Sequence, residues 1–175
     1  DFAKSRQAGI IVQPGYHNFL GINGAKQPVF SVYLQDNSSC SASGPALESH
    51  VWYMLSGVYD AEKNLVKLYL NGKPVAETDC AKPLLPNSAK INIGASRPRS
   101  ANPQYFAGKI AMVHLFDDAP DAAEIIALYQ KESVAFPVST ATTVASSSSR
   151  TSSTTTNVAT IEMPSTASDS RRWSQ

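Results

Sequence analysis

Along the first two thirds of the chain, short runs rich in Val, Ile, Leu, Tyr and Phe alternate with clusters of Gly, Pro, Asn, Asp and Ser. Apolar runs this short, bounded by turn formers, are the pattern of β-strands, whereas an amphipathic helix needs a longer segment with a period of about 3.6. The pattern predicts strands over residues 9–13, 18–22, 29–34, 52–59, 65–70, 73–78, 90–93 and 108–116. The sharpest local signal is Leu65-Val66-Lys67-Leu68-Tyr69-Leu70-Asn71-Gly72-Lys73. Asn and Gly both tolerate the positive φ that a type I′ turn demands, and that turn's twist suits two antiparallel strands. Side chains alternate across a strand, so Val66, Leu68 and Leu70 share one face, which is expected to be buried, and Leu65, Lys67 and Tyr69 share the other.

One segment has a different period. Asp121 precedes an apolar run and Glu124 follows three residues later, the spacing of a capping box. Ile125, Leu128 and Tyr129 then fall on one side, so a short helix is expected to pack on the sheets as a structural ending.

Beyond residue 137 the composition changes. Of the 38 residues from 138 to 175, 20 are Ser or Thr, too few apolar groups to offset the entropy of ordering. The expected organisation is therefore one folded domain over 1–137 and a disordered Ser/Thr-rich tail over 138–175, either an O-glycosylated stalk or a plain flexible linker. Charge narrows the partners. Lys and Arg number 15 against 14 Asp and Glu, for a net +1, without the basic surplus of a nucleic-acid binder. No run approaches the roughly 18 uninterrupted apolar residues of a membrane-spanning helix.

At this point the segments carry a family resemblance. The stretch from His50 to Asp60, the Leu68-Tyr69-Leu70-Asn71-Gly72-Lys73 hairpin, Ile91-Asn92-Ile93-Gly94, Phe106-Ala107-Gly108-Lys109-Ile110 and the Glu124-Ile125 helix follow one another in order. Together they resemble a laminin-G-like domain of the concanavalin A-like lectin/glucanase superfamily, over about residues 9 to 130. The resemblance implies an all-β jelly-roll sandwich of two antiparallel sheets with a short C-terminal helix. It also makes Trp52 a core residue. Members begin with one or two further strands that nothing before Gly9 supplies. The domain is thus expected to lack its first strand or strands, leaving an unpaired edge at residues 9–13 or 108–116.

Cys40 and Cys80 allow one disulfide and no tetrahedral metal set, the other reading being two free buried thiols. Asn37-Ser38-Ser39 is an N-glycosylation sequon at Asn37. Disulfide, sequon and tail point to a secreted or cell-surface protein. Catalysis finds little support. Glycosidases on this fold use paired carboxylates spaced Glu-x-Asp-x-x-Glu, one to protonate the leaving oxygen and one to attack or activate water. That triplet does not occur, and Glu77 and Asp79 have no third partner. His17, His50 and His114 fall on three different segments.

Binding remains. Sugar sites on sandwiches stack an exposed aromatic against a pyranose ring, beside amides that bond its hydroxyls. The candidates are Tyr105 with Gln104 and Asn102, and Tyr16 with His17 and Asn18. Calcium is implied by the family as an optional cofactor, with Asp36, Asp60, Asp117 and Asp118 as carboxylates at strand ends. The expected function is a non-catalytic recognition module for glycans or an extracellular protein. Two alternatives are an accessory lectin-like domain of a larger glycosidase or sialidase, and a spacer domain on a cell surface.

Overall fold

The structure is a computed structural model, and it describes residues 7–13, 18–96 and 104–135. Among the described residues eight strands and one helix follow in order: β1 (Gln7–Gln13), β2 (Asn18–Asn23), β3 (Pro28–Tyr33), β4 (Ser39–Ser43), β5 (Leu55–Asp60), β6 (Leu65–Leu70), β7 (Lys73–Asp79), β8 (Asn92–Ile93) and α1 (Ala122–Ser133). They form a five-stranded sheet, β4-β3-β2-β1-β8, and a three-stranded sheet, β5-β6-β7. Every pairing is antiparallel, as expected of a jelly-roll sandwich.

The main core lies between the sheets. Leu20, Val32 and Ala42 from the larger sheet meet Val66 and Leu68 from β6. Val66 and Leu68 are fully buried. At such sites a Leu side chain contributes about 2 to 5 kcal/mol, judged by the cost of cutting it back to Ala. A second cluster joins Ile10, Ile22, Leu47 and Phe106. A bulge in β1 feeds both clusters: Gly9 opposes Gly21 and Ile11 opposes Leu20, leaving Ile10 as the extra residue. The extra residue breaks the strict alternation, so Ile10 and Ile11 both reach the core.

The hairpin forms as its sequence requires. Asn71 and Gly72 have φ of 53° and 74°, and a Cβ on Gly72 would stand 2.9 Å from the Tyr129 ring. The Asn71 side chain also accepts from Met54 N–H at 2.9 Å, and Asn71 N–H donates to Met54 C=O at 2.8 Å. These bonds tie the hairpin tip to the start of β5. Pro74 is tolerated because β7 is an edge strand with a bulge between the partners of Leu68 and Tyr69.

Helix α1 begins at the expected capping box. Asp121 accepts from Ala123 N–H and Glu124 N–H at 2.7 and 2.9 Å, and Glu124 accepts from Asp121 N–H at 2.8 Å. Ile125 packs with Val58 and Tyr69 on the outer face of the three-stranded sheet. The helix therefore covers Tyr69 on the second face of β6, and Leu65 and Tyr69 are buried along with Val66.

Several expectations need correction. Residues 108–116 form no strand, because none of the described strands lies beside them to complete a ladder. Conversely, β4 escaped notice, since Ser-Cys-Ser-Ala-Ser is small and weakly apolar, yet its Cys40 and Ala42 alternate inward. Cys40 therefore sits within a strand. The strand expected over 52–59 starts at Leu55, and Trp52 is only half-buried. Leu34 leaves β3 for an isolated bridge to Leu84. The unpaired edge does not fall on β1, which pairs with β2 and β8.

Candidate functional site

The expected disulfide is present: Cys40 and Cys80 are joined with their Cα atoms 5.6 Å apart. It links β4 of one sheet to the end of β7 in the other. The backbone around it is held as well, since Cys80 N–H donates to Asn64 C=O at 2.7 Å. The sequon asparagine sits at the tip of the turn between β3 and β4, exposed, with φ of 65°. A glycan there would project into solvent.

Of the residues suggested for sugar contact, Tyr105 is the best placed. The residue is 60% exposed, but its backbone is fixed. Tyr105 forms a bridge with Ala95, Ser96 N–H donates to Gln104 C=O at 2.8 Å, and Phe106 N–H donates to Gly94 C=O at 2.8 Å. Gly94 N–H in turn donates to Ile10 C=O at 2.7 Å, continuing the line of β1. Extended backbone turns successive side chains to opposite sides, so Phe106 plugs the second core cluster while Tyr105 faces out. Gly108 is required here because a Cβ would stand 2.3 Å from the Phe106 ring. Gln104 is half-buried beside Tyr105. Asn102, Tyr16 and His17 lie outside the described residues.

Asn18 is engaged internally. Its amide donates to Gln13 Oε1 at 3.0 Å and its carbonyl oxygen accepts from Tyr33 N–H at 3.1 Å. Gln13 spends its own amide on the carbonyls of Asn87 and Ala89, at 2.8 and 3.0 Å. These bonds fix the end of the larger sheet.

The four aspartates suggested for calcium do not form a metal-holding group, although Asp60, Asp117 and Asp118 line one cleft. Among the described residues no group of three or more His, Cys, Asp or Glu is placed to hold a metal ion. Two of the four are committed to their own turns. Asp36 accepts from Ser38 Oγ at 2.6 Å and Ser38 N–H at 3.0 Å, and these bonds pull its carboxyl below the ordinary value. Asp60 accepts from Lys63 Nζ at 2.9 Å and from Lys63 N–H, which lowers its carboxyl likewise and raises the lysine. Asp36 and Lys63 are exposed and Asp60 is half-buried, so each bond organises a surface turn and adds little to stability.

One concavity is foreshadowed by no motif. A cleft of about 1010 Å³ opens between β5 and the stretch over 111–118. Its floor is the larger sheet, with Ile11, Leu20 and Phe30, and its walls include Leu55, Met112 and Leu115.

A two-layer antiparallel sandwich with a capping helix is consistent with a jelly-roll domain. Comparison with known families agrees. The profile of the concanavalin A-like lectin/glucanases superfamily, in its laminin-G-like form, matches residues 2–126, and the chain belongs to that superfamily. Comparison with curated proteins and with solved structures gives no match. No helix among the described residues is long and apolar enough to cross a membrane.

Proposed function

We propose that this domain is a non-catalytic extracellular recognition module that binds glycans, alone or on a glycoprotein, through Tyr105 and Gln104. The observation that carries the reading is Tyr105, 60% exposed on a backbone bridged to Ala95. An aromatic held this way loses little freedom when a sugar stacks on it, so most of the contact energy is kept as affinity. Superfamily membership supports a carbohydrate-binding type of fold, but function on a widely used fold depends on the site. The Cys40–Cys80 disulfide fits an oxidising, extracellular setting. The absence of a paired-carboxylate motif from the sequence supports recognition without hydrolysis.

The test is a glycan array followed by Tyr105→Ala. A stacked ring is worth about 0.5 to 1.5 kcal/mol beyond its burial, so affinity is expected to fall by up to roughly tenfold with the melting curve nearly unchanged. A drop in stability of several kcal/mol with affinity intact would make Tyr105 a packing residue instead. Hydrolysis of any glycoside by the purified domain would overturn the non-catalytic assignment.

A further inference from the structure

Asn37 closes the turn between β3 and β4. Its N–H donates to Leu34 C=O at 3.0 Å and Leu34 N–H donates to Ser38 C=O at 2.9 Å, the two bonds of a short hairpin loop that ends in one left-handed residue. Asn37 is that residue, with φ of 65°. Glycine fits such a position without strain and asparagine is among the few others that adopt it, so Asn37 keeps the turn and adds a carboxamide to it. Asp36 accepts from Ser38 N–H and Ser38 Oγ at 3.0 and 2.6 Å, which holds the turn without using that carboxamide. Asn37 and Ser39 are both exposed, and together they form the only Asn-x-Ser/Thr sequence in the chain.

Ser39 also opens β4, which is an outer strand of the five-stranded sheet. Charges, prolines and bulges are the usual means by which an edge strand avoids pairing with another copy. The neighbouring edge β7 has all three: Lys73, Glu77 and Asp79, Pro74, and a shift of register. β4 has none. It pairs with β3 in continuous register, its sequence is Ser-Cys-Ser-Ala-Ser, and Ser39, Ser41 and Ser43 are exposed. Thr78 Oγ1 engages Ser41 C=O at 3.0 Å, but no described strand pairs along that side.

We propose that Asn37 carries an N-linked glycan and that this glycan guards the β4 edge against pairing with a second copy. In the transfer, Asn37 Nδ2 forms a bond to the anomeric carbon of an oligosaccharide carried on a lipid diphosphate. The bond from that carbon to the diphosphate oxygen breaks, the lipid diphosphate leaves, and the amide gives up one proton. Ser39 supplies the hydroxyl that completes the acceptor sequence. Once the chain has folded, the turn holds a bulky, hydrated group directly before β4. The Cys40–Cys80 disulfide fits the same secretory setting. β4 and β8 are opposite edges of the larger sheet, and Tyr105 is bridged to Ala95 just beyond β8, so the glycan stands away from it. The proposal does not rest on the recognition reading.

The test is the full chain secreted from a eukaryotic host, as the parent and as Asn37→Gly, Ser39→Ala and Ser39→Thr. Glycine suits the positive φ, and Ser39→Ala leaves the bonds of the turn in place, so both are expected to fold. Peptide mass before and after glycosidase treatment is expected to show a glycan on Asn37 in the parent and in Ser39→Thr, and its loss in the other two. Sedimentation then reads the edge. The glycosylated parent is expected to stay monomeric, while Asn37→Gly and Ser39→Ala associate as concentration rises. Ser43→Lys, added to Ser39→Ala, charges the same edge and should restore the monomer. Enzymatic removal of the glycan from the folded parent repeats the comparison without a substitution. A parent secreted with Asn37 unmodified overturns the site. Unglycosylated forms as monomeric as the parent, or association that Ser43→Lys does not dissolve, overturn the guarding role.

Discussion

Two segments of this protein have equally strand-like sequences and different fates. Residues 65–79 become the hairpin β6–β7, whose first arm is the interior strand of its sheet, while residues 108–116 remain outside both ladders. In the first, Asn71-Gly72 makes the turn and the partner strand follows at once, so the ladder between the two arms is local. In the second, Val113, Leu115 and Phe116 have the right chemistry, but the turn and the neighbour are not provided. Alternation permits a strand, and a neighbouring backbone is what makes it one.

The comparison is sharpened most by cutting the hairpin's external tie. The disulfide joins residues 40 apart in sequence, and a closed loop of that size restricts the unfolded chain by about 4 kcal/mol in the chain-entropy model. Reduction, or Cys40→Ala with Cys80→Ala, should lower unfolding free energy by up to that amount, measured by denaturant titration. The loss should appear as a cooperative shift of the whole curve. A separate early transition confined to the hairpin would mean that the two sheets fold independently.

The second contrast sets one leucine against another. Leu68→Ala empties a fully buried site between the sheets and is expected to cost about 2 to 5 kcal/mol. Leu115→Ala, at a side chain 58% exposed, should stay within about 0.5 kcal/mol. Equal losses in thermal melts would show that residues 108–116 are packed after all, and the difference between the two regions would collapse.

What could be read beforehand follows the same division. The hairpin, the capping box at Asp121 and the outward Tyr105 beside inward Phe106 were legible because each depends on residues within a few positions. The disulfide was foreseeable from a count of two cysteines. Strand β4 was not, because Cys40 and Ala42 are small and gain their burial from Thr78 and its neighbours far along the chain: Thr78 Oγ1 donates to Ser41 C=O at 3.0 Å. The cleft was illegible too, since it arises from how many strands each sheet has rather than from any motif. The residues suggested from loop composition fared unevenly: Asn18 turned out to fix Gln13 and Tyr33, while Tyr105 kept its exposure.

The smallest expected effect lies at high pH and concerns the hairpin's outer face. Tyr69 and Tyr129 are buried there, and burial pushes both phenols above their ordinary value of 10.0, with the charges of Glu77 and Asp121 adding to the shift at Tyr69. A phenol whose pKa is raised by folding holds its proton longer in the native chain than in the unfolded one. The stability this contributes is complete below pH 10 and is lost as pH rises through the folded-state value, because the unfolded chain ionises first. Melting temperature is therefore expected to be flat with respect to these groups up to about pH 9.5 and to fall above pH 10. Tyr69→Phe and Tyr129→Phe remove the titrating groups, so each should flatten the alkaline slope relative to the parent, whatever its effect at neutral pH. Residues 108–116 contain no tyrosine, and substitutions there should leave the slope unchanged. Parallel slopes in the parent and both phenylalanine variants would show that the alkaline loss has another origin, and that the helix does not seal the hairpin's outer face.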